Sequence, residues 1–384
     1  MRSLAKVAVA VLCGLALTGF MYRQDRSLEI LVVEGSRLGP VTLLKTAPQK
    51  QVKILIHSYM RSGSTLTGDL FQAHPGVFFF YEPLWYLYDH DMNHSGYWDQ
   101  EDLRSRVKDA FKSVSPTPVT PFDFLDRMFQ CDLSPANLAF LAYVMKSESF
   151  SKSQCPFGKP FGRIQETQLK PCAELVKPRC EEAKSLVMKV LRLTMNETDS
   201  YLDKHPDLKV IYLVRDPRGI HYSRGQAYFQ GQSSFLCQRI QNDLTTFKRI
   251  SGKHKGRILL VRYEDLAQLP LHVVKEMYQF AGLDMLPSVE ETVRQKTHAE
   301  STHETQFGTG RSDSSKTSTK WRTTMTYQAV KEMDAYCQDV YSFLGYNTFA
   351  SDNELRNLTL PQRSPDYDAR LVGVRIGHLL KDRG

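Results

Sequence analysis

Ser58-Tyr59-Met60-Arg61-Ser62-Gly63-Ser64-Thr65 follows the apolar run Val52-Lys53-Ile54-Leu55-Ile56-His57 and precedes a helix-like stretch over residues 66–73. A strand that turns through a Gly/Ser-rich loop into a helix offers backbone N–H groups and the positive end of the helix dipole to an anion. Gly63 lets the backbone come close, while Ser62, Ser64 and Thr65 supply hydroxyls. Arg61 supplies a forked cation suited to phosphate or sulfate oxygens. An ordinary polar turn carries similar residues, so the loop is decided by the rest of the chain.

The nucleotide-hydrolysing P-loop reads Gly-x-x-x-x-Gly-Lys-Ser/Thr. Aligned on Gly63, this chain has Ser58 for the leading glycine and Ser64 for the lysine. Without that lysine no loop ammonium reaches the terminal phosphates, which argues against a kinase or NTPase. Asp216 follows an apolar run, as a magnesium-holding Asp would, but Arg215 stands beside it and no metal site is expected.

Four more apolar runs occur: Val77-Phe78-Phe79-Phe80-Tyr81, Ser185-Leu186-Val187-Met188-Lys189-Val190, Val210-Ile211-Tyr212-Leu213-Val214 and Arg257-Ile258-Leu259-Leu260-Val261. Short continuous apolar runs between helical stretches indicate a parallel sheet buried on both faces. The expected fold is α/β, P-loop-like and three-layered, with a central parallel sheet plus an N-terminal signal-anchor. Ligands of such sheets bind at the carboxyl ends of the strands, where each run here turns polar. Residues 100–180 read as an insertion, 296–320 as a mobile loop ending at Lys320-Trp321-Arg322, and 327–344 as a helix.

The fourth of the five runs leads into a second polar segment, Arg215-Asp216-Pro217-Arg218-Gly219-Ile220-His221-Tyr222-Ser223. With a helix starting near Pro217, Asp216 caps it and Arg215 and Ser223 reach one phosphate.

The 384 residues carry a net charge of +8, with 41% hydrophobic and 24% charged residues, the profile of a globular protein with room for acidic partners. Arg2 and Lys6 precede an apolar run over residues 7–20, extended by Met21 and Tyr22. It falls short of the roughly 20 residues of an ordinary span. No small-x-small cleavage site follows, which favours a signal-anchor over a cleaved signal. The layout is a cytosolic tail 1–6, anchor 7–22, stem 23–50, luminal domain 51–350 and C-terminal tail 351–384. Sequons at Asn93, Asn196 and Asn357 agree with a luminal domain. So do six cysteines beyond the anchor, of which Cys172 and Cys180 form the nearest local pair.

The ordered set Arg61-Ser62-Gly63-Ser64-Thr65, Glu82-Pro83-Leu84, Leu213-Val214-Arg215-Asp216-Pro217-Arg218-Gly219, Val261-Arg262-Tyr263-Glu264-Asp265-Leu266 and Lys320-Trp321-Arg322 resembles the Golgi carbohydrate sulfotransferases. It is most similar to the branch that sulfates the 6-hydroxyl of galactose, N-acetylgalactosamine or N-acetylglucosamine, and the likeness covers residues 52–346. The resemblance implies 3′-phosphoadenosine 5′-phosphosulfate as donor and no metal. It implies that Arg61, Ser62, Gly63, Ser64, Thr65 and Leu66 hold the 5′-phosphosulfate, with Arg215 and Ser223 on the 3′-phosphate among the segment Asp216, Pro217, Arg218, Gly219, Ile220, His221 and Tyr222. Arg61 is the one cation in the first loop, so protonation by a loop lysine does not carry over.

Glu82 is the preferred general base, since an apolar setting would raise its pKa; His57 is the second candidate. Arg61 would stabilise the leaving group. Lys189 and Arg192 either contact acceptor or sulfuryl oxygens or form salt bridges. Arg262, Glu264 and Asp265 would brace the sheet end, and Lys320 and Arg322 would close over the nucleotide. The implied partners are keratan, chondroitin or N-acetylglucosamine-ended glycans and the Golgi membrane, in a single-pass type II orientation, with no nucleic acid. A non-catalytic glycan-binding relative stays open beside the enzyme reading, as do the acceptor sugar and a homo-oligomer.

Overall fold

A computed structural model describes residues 8–11, 17–24, 27–34, 51–84, 120–142, 148–151, 155, 166–227, 232–299 and 308–364. The chain divides into two units, Met1–Lys50 and Gln51–Gly384.

The first unit holds three antiparallel strands, β1 (Ala8–Val11), β2 (Leu17–Gln24) and β3 (Ser27–Glu34). Strands β1 and β2 overlap the run read as an anchor, and β3 falls within the run read as a stem. The stretch Leu28-Glu29-Ile30-Leu31-Val32-Val33 lies beyond Arg23 and gives the apolar run a strand partner. Among the described residues no helix is long and apolar enough to cross a membrane.

The second unit is built on β4 (Val52–Ser58), β5 (Val77–Tyr81), β6 (Ser185–Val190), β7 (Leu208–Val214) and β8 (Ile258–Arg262). These are the five apolar runs. They pair in parallel in the order β5-β6-β4-β7-β8. Central burial explains why β4 reads as a continuous apolar run. Ile54 and Ile56 face Leu70, Phe71 and Val274 on one side, while Leu55 faces the opposite layer with Phe80, Phe124 and Val176. On that second side Tyr212 and Val214 pack with Ile240 and Val340. Two helical layers thus enclose one sheet.

From β4 the chain moves outward to β5, returns to β6, then crosses β4 to reach β7 and β8. The direction of winding reverses at β4 and β7, and the crevice beyond their carboxyl ends is where such sheets bind ligands. Both polar segments singled out from the sequence leave the sheet there.

The insertion contributes helices Pro121–Phe129, Pro135–Ala142, Glu148–Ser151 and Glu166–Glu182. Disulfides join Cys131 to Cys180, Cys155 to Cys172 and Cys237 to Cys337. The local pairing of Cys172 with Cys180 is not formed. Both lie on the Glu166–Glu182 helix, and eight positions at about 1.5 Å rise per residue separate them by roughly 12 Å. A disulfide needs Cα atoms within about 7 Å.

The folded body also passes the expected boundary at 350. Helix Asp352–Arg356 buries Leu355, Tyr346 bridges to Arg363, and Gln362 donates to Asp216 Oδ2 at 3.1 Å.

Candidate active site

The first loop turns on two left-handed residues, Arg61 at φ 71° and Gly63 at φ 88°. Ser62 N–H closes the turn on Tyr59 O at 3.1 Å. The first helical bond of Ser64–Gln72 runs from Thr67 N–H to Gly63 O, so the amides of Ser64, Thr65 and Leu66 precede the intrahelical ladder. Gly63 is required twice over, because a Cβ there would stand 2.3 Å from Tyr263 Cδ2. Gly63→Ala is expected to destabilise the chain by about 1–3 kcal/mol and to weaken anion binding, checked by denaturant unfolding and calorimetry. Unchanged values in both would mean that Tyr263 moves aside freely.

Arg61 joins the two polar segments. Its Nε donates to Ser223 Oγ at 2.9 Å, and its carbonyl accepts from Arg215 Nη1 at 2.8 Å. The Arg215 guanidinium stacks 4.4 Å from the Tyr263 ring. Gly219 makes room for this arrangement, since a Cβ there would lie 2.9 Å from Arg215 Nε. Burial, then Arg215, then Arg311 all push the Arg61 pKa down. Like charges gathered in this way favour an anion. Among the described residues, Ser62 Oγ and Arg215 Nε are buried without a hydrogen-bond partner.

Arg311 was not singled out from the sequence. Its N–H donates to Lys296 O at 2.9 Å, and Lys296 pairs with Asp69 on the Ser64–Gln72 helix at 3.0 Å. The described end of the expected mobile loop is thus pinned to the first-loop helix. The signal was an arginine after Gly308-Thr309-Gly310, visible only once the fold carries it back to Arg61.

Several residues of the second segment do other work. Asp216 caps its helix, accepting from Arg218 N–H at 2.9 Å, and Pro217 opens that helix. Arg218 is fully buried; it pairs with Asp216 at 2.8 Å and Asp334 at 3.3 Å and lies between the Trp321 and Tyr341 rings. Ile220 and the side chain of Leu66 are in the core. His221 Nδ1 meets Ser233 Oγ at 3.2 Å. The cap expected of Asp216 is present, and the side-chain contacts of Asp216, Arg218 and Ile220 hold the helix in place.

The expectation for the Lys320-Trp321-Arg322 cluster is corrected. Trp321 is buried, and Arg322 donates to the carbonyls of Leu355 (3.0 Å), Leu360 (2.8 Å), Glu354 (3.2 Å) and Asn357 (2.8 Å). These two residues pack the C-terminal segment instead of closing over a nucleotide, while Lys320 is exposed. Arg262, Glu264 and Asp265 do brace the sheet end: Arg262 pairs with Asp265 at 2.7 Å, and Glu264 accepts from Tyr346 at 2.7 Å.

Beside the first loop lies a charged trio. Glu82 directly follows β5 at φ 45°. Its Oε1 meets Lys189 Nζ at 2.9 Å and its Oε2 meets Arg192 Nη1 at 2.6 Å. Lys189 also reaches Thr65 Oγ1 at 3.3 Å and lies 3.4 Å from the Tyr81 ring centroid. The expected apolar setting of Glu82 is corrected. Burial alone would raise its pKa, but Lys189 and Arg192 outweigh burial and hold it at about 2. His57 is buried against Thr198 Oγ1 at 2.9 Å, with Asp243 3.9 Å from its other nitrogen. That places it beneath the loop, in the core.

One group of metal-ligand type occurs among the described residues, Asp199, Asp203 and His254. Lys253 Nζ already contacts both carboxylates, at 2.9 and 2.6 Å. Asn196 and Asn357 are exposed, and Asn93 lies outside the described residues.

An arginine-lined, glycine-dependent cradle thus lies at the switch point of a parallel sheet in an α/β protein, a setting suited to a phosphorylated or sulfated ligand. The family model described as sulfotransferase domain matches residues 51–345, and the chain belongs to that family of enzymes. It is similar to carbohydrate sulfotransferase 5 of Mus musculus, 28% identical over 81% of this chain and 85% of the relative. Carbohydrate sulfotransferase 6 of Homo sapiens is 27% identical, over 90% of this chain and 92% of its own. Among solved structures, the sulfotransferase domain of the Synechococcus PCC 7002 olefin synthase matches 79% of this chain and 98% of its own, at 15% identity and a TM-score of 0.42.

Proposed function

We propose that the protein transfers a sulfuryl group from 3′-phosphoadenosine 5′-phosphosulfate to the 6-hydroxyl of an N-acetylglucosamine, galactose or N-acetylgalactosamine residue in a glycan. The observation that carries this is the pair of orphaned buried donors, Ser62 Oγ and Arg215 Nε, in a cradle also holding Arg61. Buried polar atoms without partners are rare and costly, and oxygens of a phosphosulfate or phosphate would satisfy them. When bound, the donor supplies a sulfuryl group on a phosphate leaving group.

Arg61, the Ser62 hydroxyl and the amides of Ser64, Thr65 and Leu66 hold the 5′ end, and Arg215 and Ser223 hold the 3′-phosphate. Glu82 takes the proton of the acceptor hydroxyl. A carboxylate with a pKa of about 2 is a weak base in the free chain. It suffices because the hydroxyl becomes strongly acidic once its oxygen bonds to sulfur. Arg192 and Lys189 fix both carboxylate oxygens, so the proton is received at a defined place.

The relatives' carbohydrate substrates support a glycan acceptor, with keratan, chondroitin and N-acetylglucosamine-ended chains as candidates. Three disulfides, exposed Asn196 and Asn357, and the apolar N-terminal run support a luminal domain on a single-pass type II Golgi membrane protein.

Radiolabelled sulfate transfer by the full-length chain to those three acceptor classes tests the proposal. Transfer to one class is expected. Failure to bind adenosine 3′,5′-bisphosphate would overturn the donor assignment; binding without transfer would favour a glycan-binding relative. Arg215→Ala is expected to weaken bisphosphate binding by about 10–100-fold, as for a truncated charged hydrogen bond, with a smaller effect on adenosine 5′-phosphate.

A further inference from the structure

In a P-loop the lysine of Gly-Lys-Ser/Thr reaches the phosphates and the next hydroxyl holds Mg²⁺. Here Ser64 stands at the lysine position and Thr65 at the hydroxyl position. The Thr65 hydroxyl is met by an ammonium, Lys189 Nζ at 3.3 Å, delivered from the neighbouring strand β6.

This is more than an ion pair with Glu82. One carboxylate faces two cations in the trio, so Arg192 alone would balance Glu82 and the cluster keeps a surplus positive charge. Lys189 is 1% exposed. A buried ammonium costs several kcal/mol of desolvation, which a pair of this kind does not repay in stability by itself. Burial works against its charge, yet Glu82 and then Tyr81 keep it protonated. Its hydrogen bond to Thr65, at 3.3 Å, is longer than its contact with Glu82, at 2.9 Å, and a ligand oxygen can replace it at little cost.

We propose that the Lys189 ammonium is the cation that contacts the sulfuryl oxygens and the leaving 5′-phosphate, standing in for both the loop lysine and a metal ion. Glu82 is its positioning partner as well as the base. The inference rests on the activity proposed above. As the acceptor oxygen bonds to sulfur, the sulfur–oxygen bond to the phosphate breaks and its electron pair stays on the phosphate. The acceptor proton passes to Glu82, and Lys189 keeps all of its protons.

The test compares the full-length chain with Lys189→Ala and Lys189→Arg. For Lys189→Ala, kcat is expected to fall at least about 10²-fold, the range for loss of one charge-stabilising donor. Methylammonium is expected to restore at least about tenfold of that loss, with no gain for the wild type. Lys189→Arg, bulkier at the Thr65 hydroxyl, is expected to keep binding and lose kcat. By calorimetry, Lys189→Ala is expected to lose about tenfold in affinity for adenosine 3′,5′-bisphosphate and nothing for adenosine 3′-phosphate, which lacks the leaving phosphate. A Lys189→Ala chain with near-wild-type kcat overturns this assignment alone. So does an equal loss of both ligands without amine rescue, which marks a purely structural lysine. A wild-type chain that binds neither ligand and transfers nothing overturns the activity beneath it.

Discussion

Glu82→Gln is expected to reduce sulfate transfer about 10³-fold while adenosine 3′,5′-bisphosphate still binds. The amide keeps the shape of the carboxylate but accepts no proton, and general-base catalysis contributes about 10²–10⁴-fold. Binding should be retained or tightened, because removing the negative charge leaves Lys189 and Arg192 facing the anion without their counterion. Stability should fall by roughly 3–5 kcal/mol, as when one partner of a buried pair is removed. Glu82 has a depressed pKa in the folded chain, about 2 against an ordinary 4.5. Its stabilising contribution is thus complete above 4.5 and is lost as pH falls toward 2. The stability gap between wild type and Glu82→Gln should therefore close in acid. Unfolding curves at neutral and acidic pH, run beside the transfer assay and calorimetry, check these four outcomes. A variant with normal turnover would move the base elsewhere.

Arg218→Met should give the largest loss of stability without touching the donor. The guanidinium is fully buried between two aromatic rings and bonded to Asp216, Asp334 and the carbonyl of Asn347 at 3.0 Å. Burial disfavours its charge, but Asp216 first and then Tyr341 and Asp334 hold it protonated. Truncation leaves two carboxylates unpaired in the core, at a cost of about 3–5 kcal/mol. The denaturation midpoint should fall accordingly, while the fraction that remains folded binds bisphosphate as before. Lost bisphosphate affinity at unchanged stability would return Arg218 to the donor site.

Both residues show where reading the sequence runs out. The five strands were legible because a parallel sheet buried on both faces must be written as short, continuous apolar runs. The first loop was legible because its chemistry is local: hydroxyls, one glycine and one arginine within eight positions. The charge state of Glu82 was not. It depends on Lys189 and Arg192, more than 100 positions away, and an aromatic strand beside a carboxylate says nothing of what the fold brings against it. Arg218 and Arg322 have the composition of ligand-binding arginines, and only their carbonyl and carboxylate partners show that they hold the fold. Arg311 reaches the cradle from another loop, so spacing along the chain could not announce it, and Lys189 was legible only as a strand-end cation whose partners stayed open.

The family match ends at 345, yet Arg322 fastens four carbonyls between 354 and 360. A chain shortened to the matched segment would uncover Leu344 and strip that guanidinium of its four carbonyl partners and of the Phe349 ring. Such a truncated protein should be recovered mainly as aggregate or through proteolysis, although every residue of the cradle is present. Chains ending at 364 or later should be the shortest that can be purified in folded form.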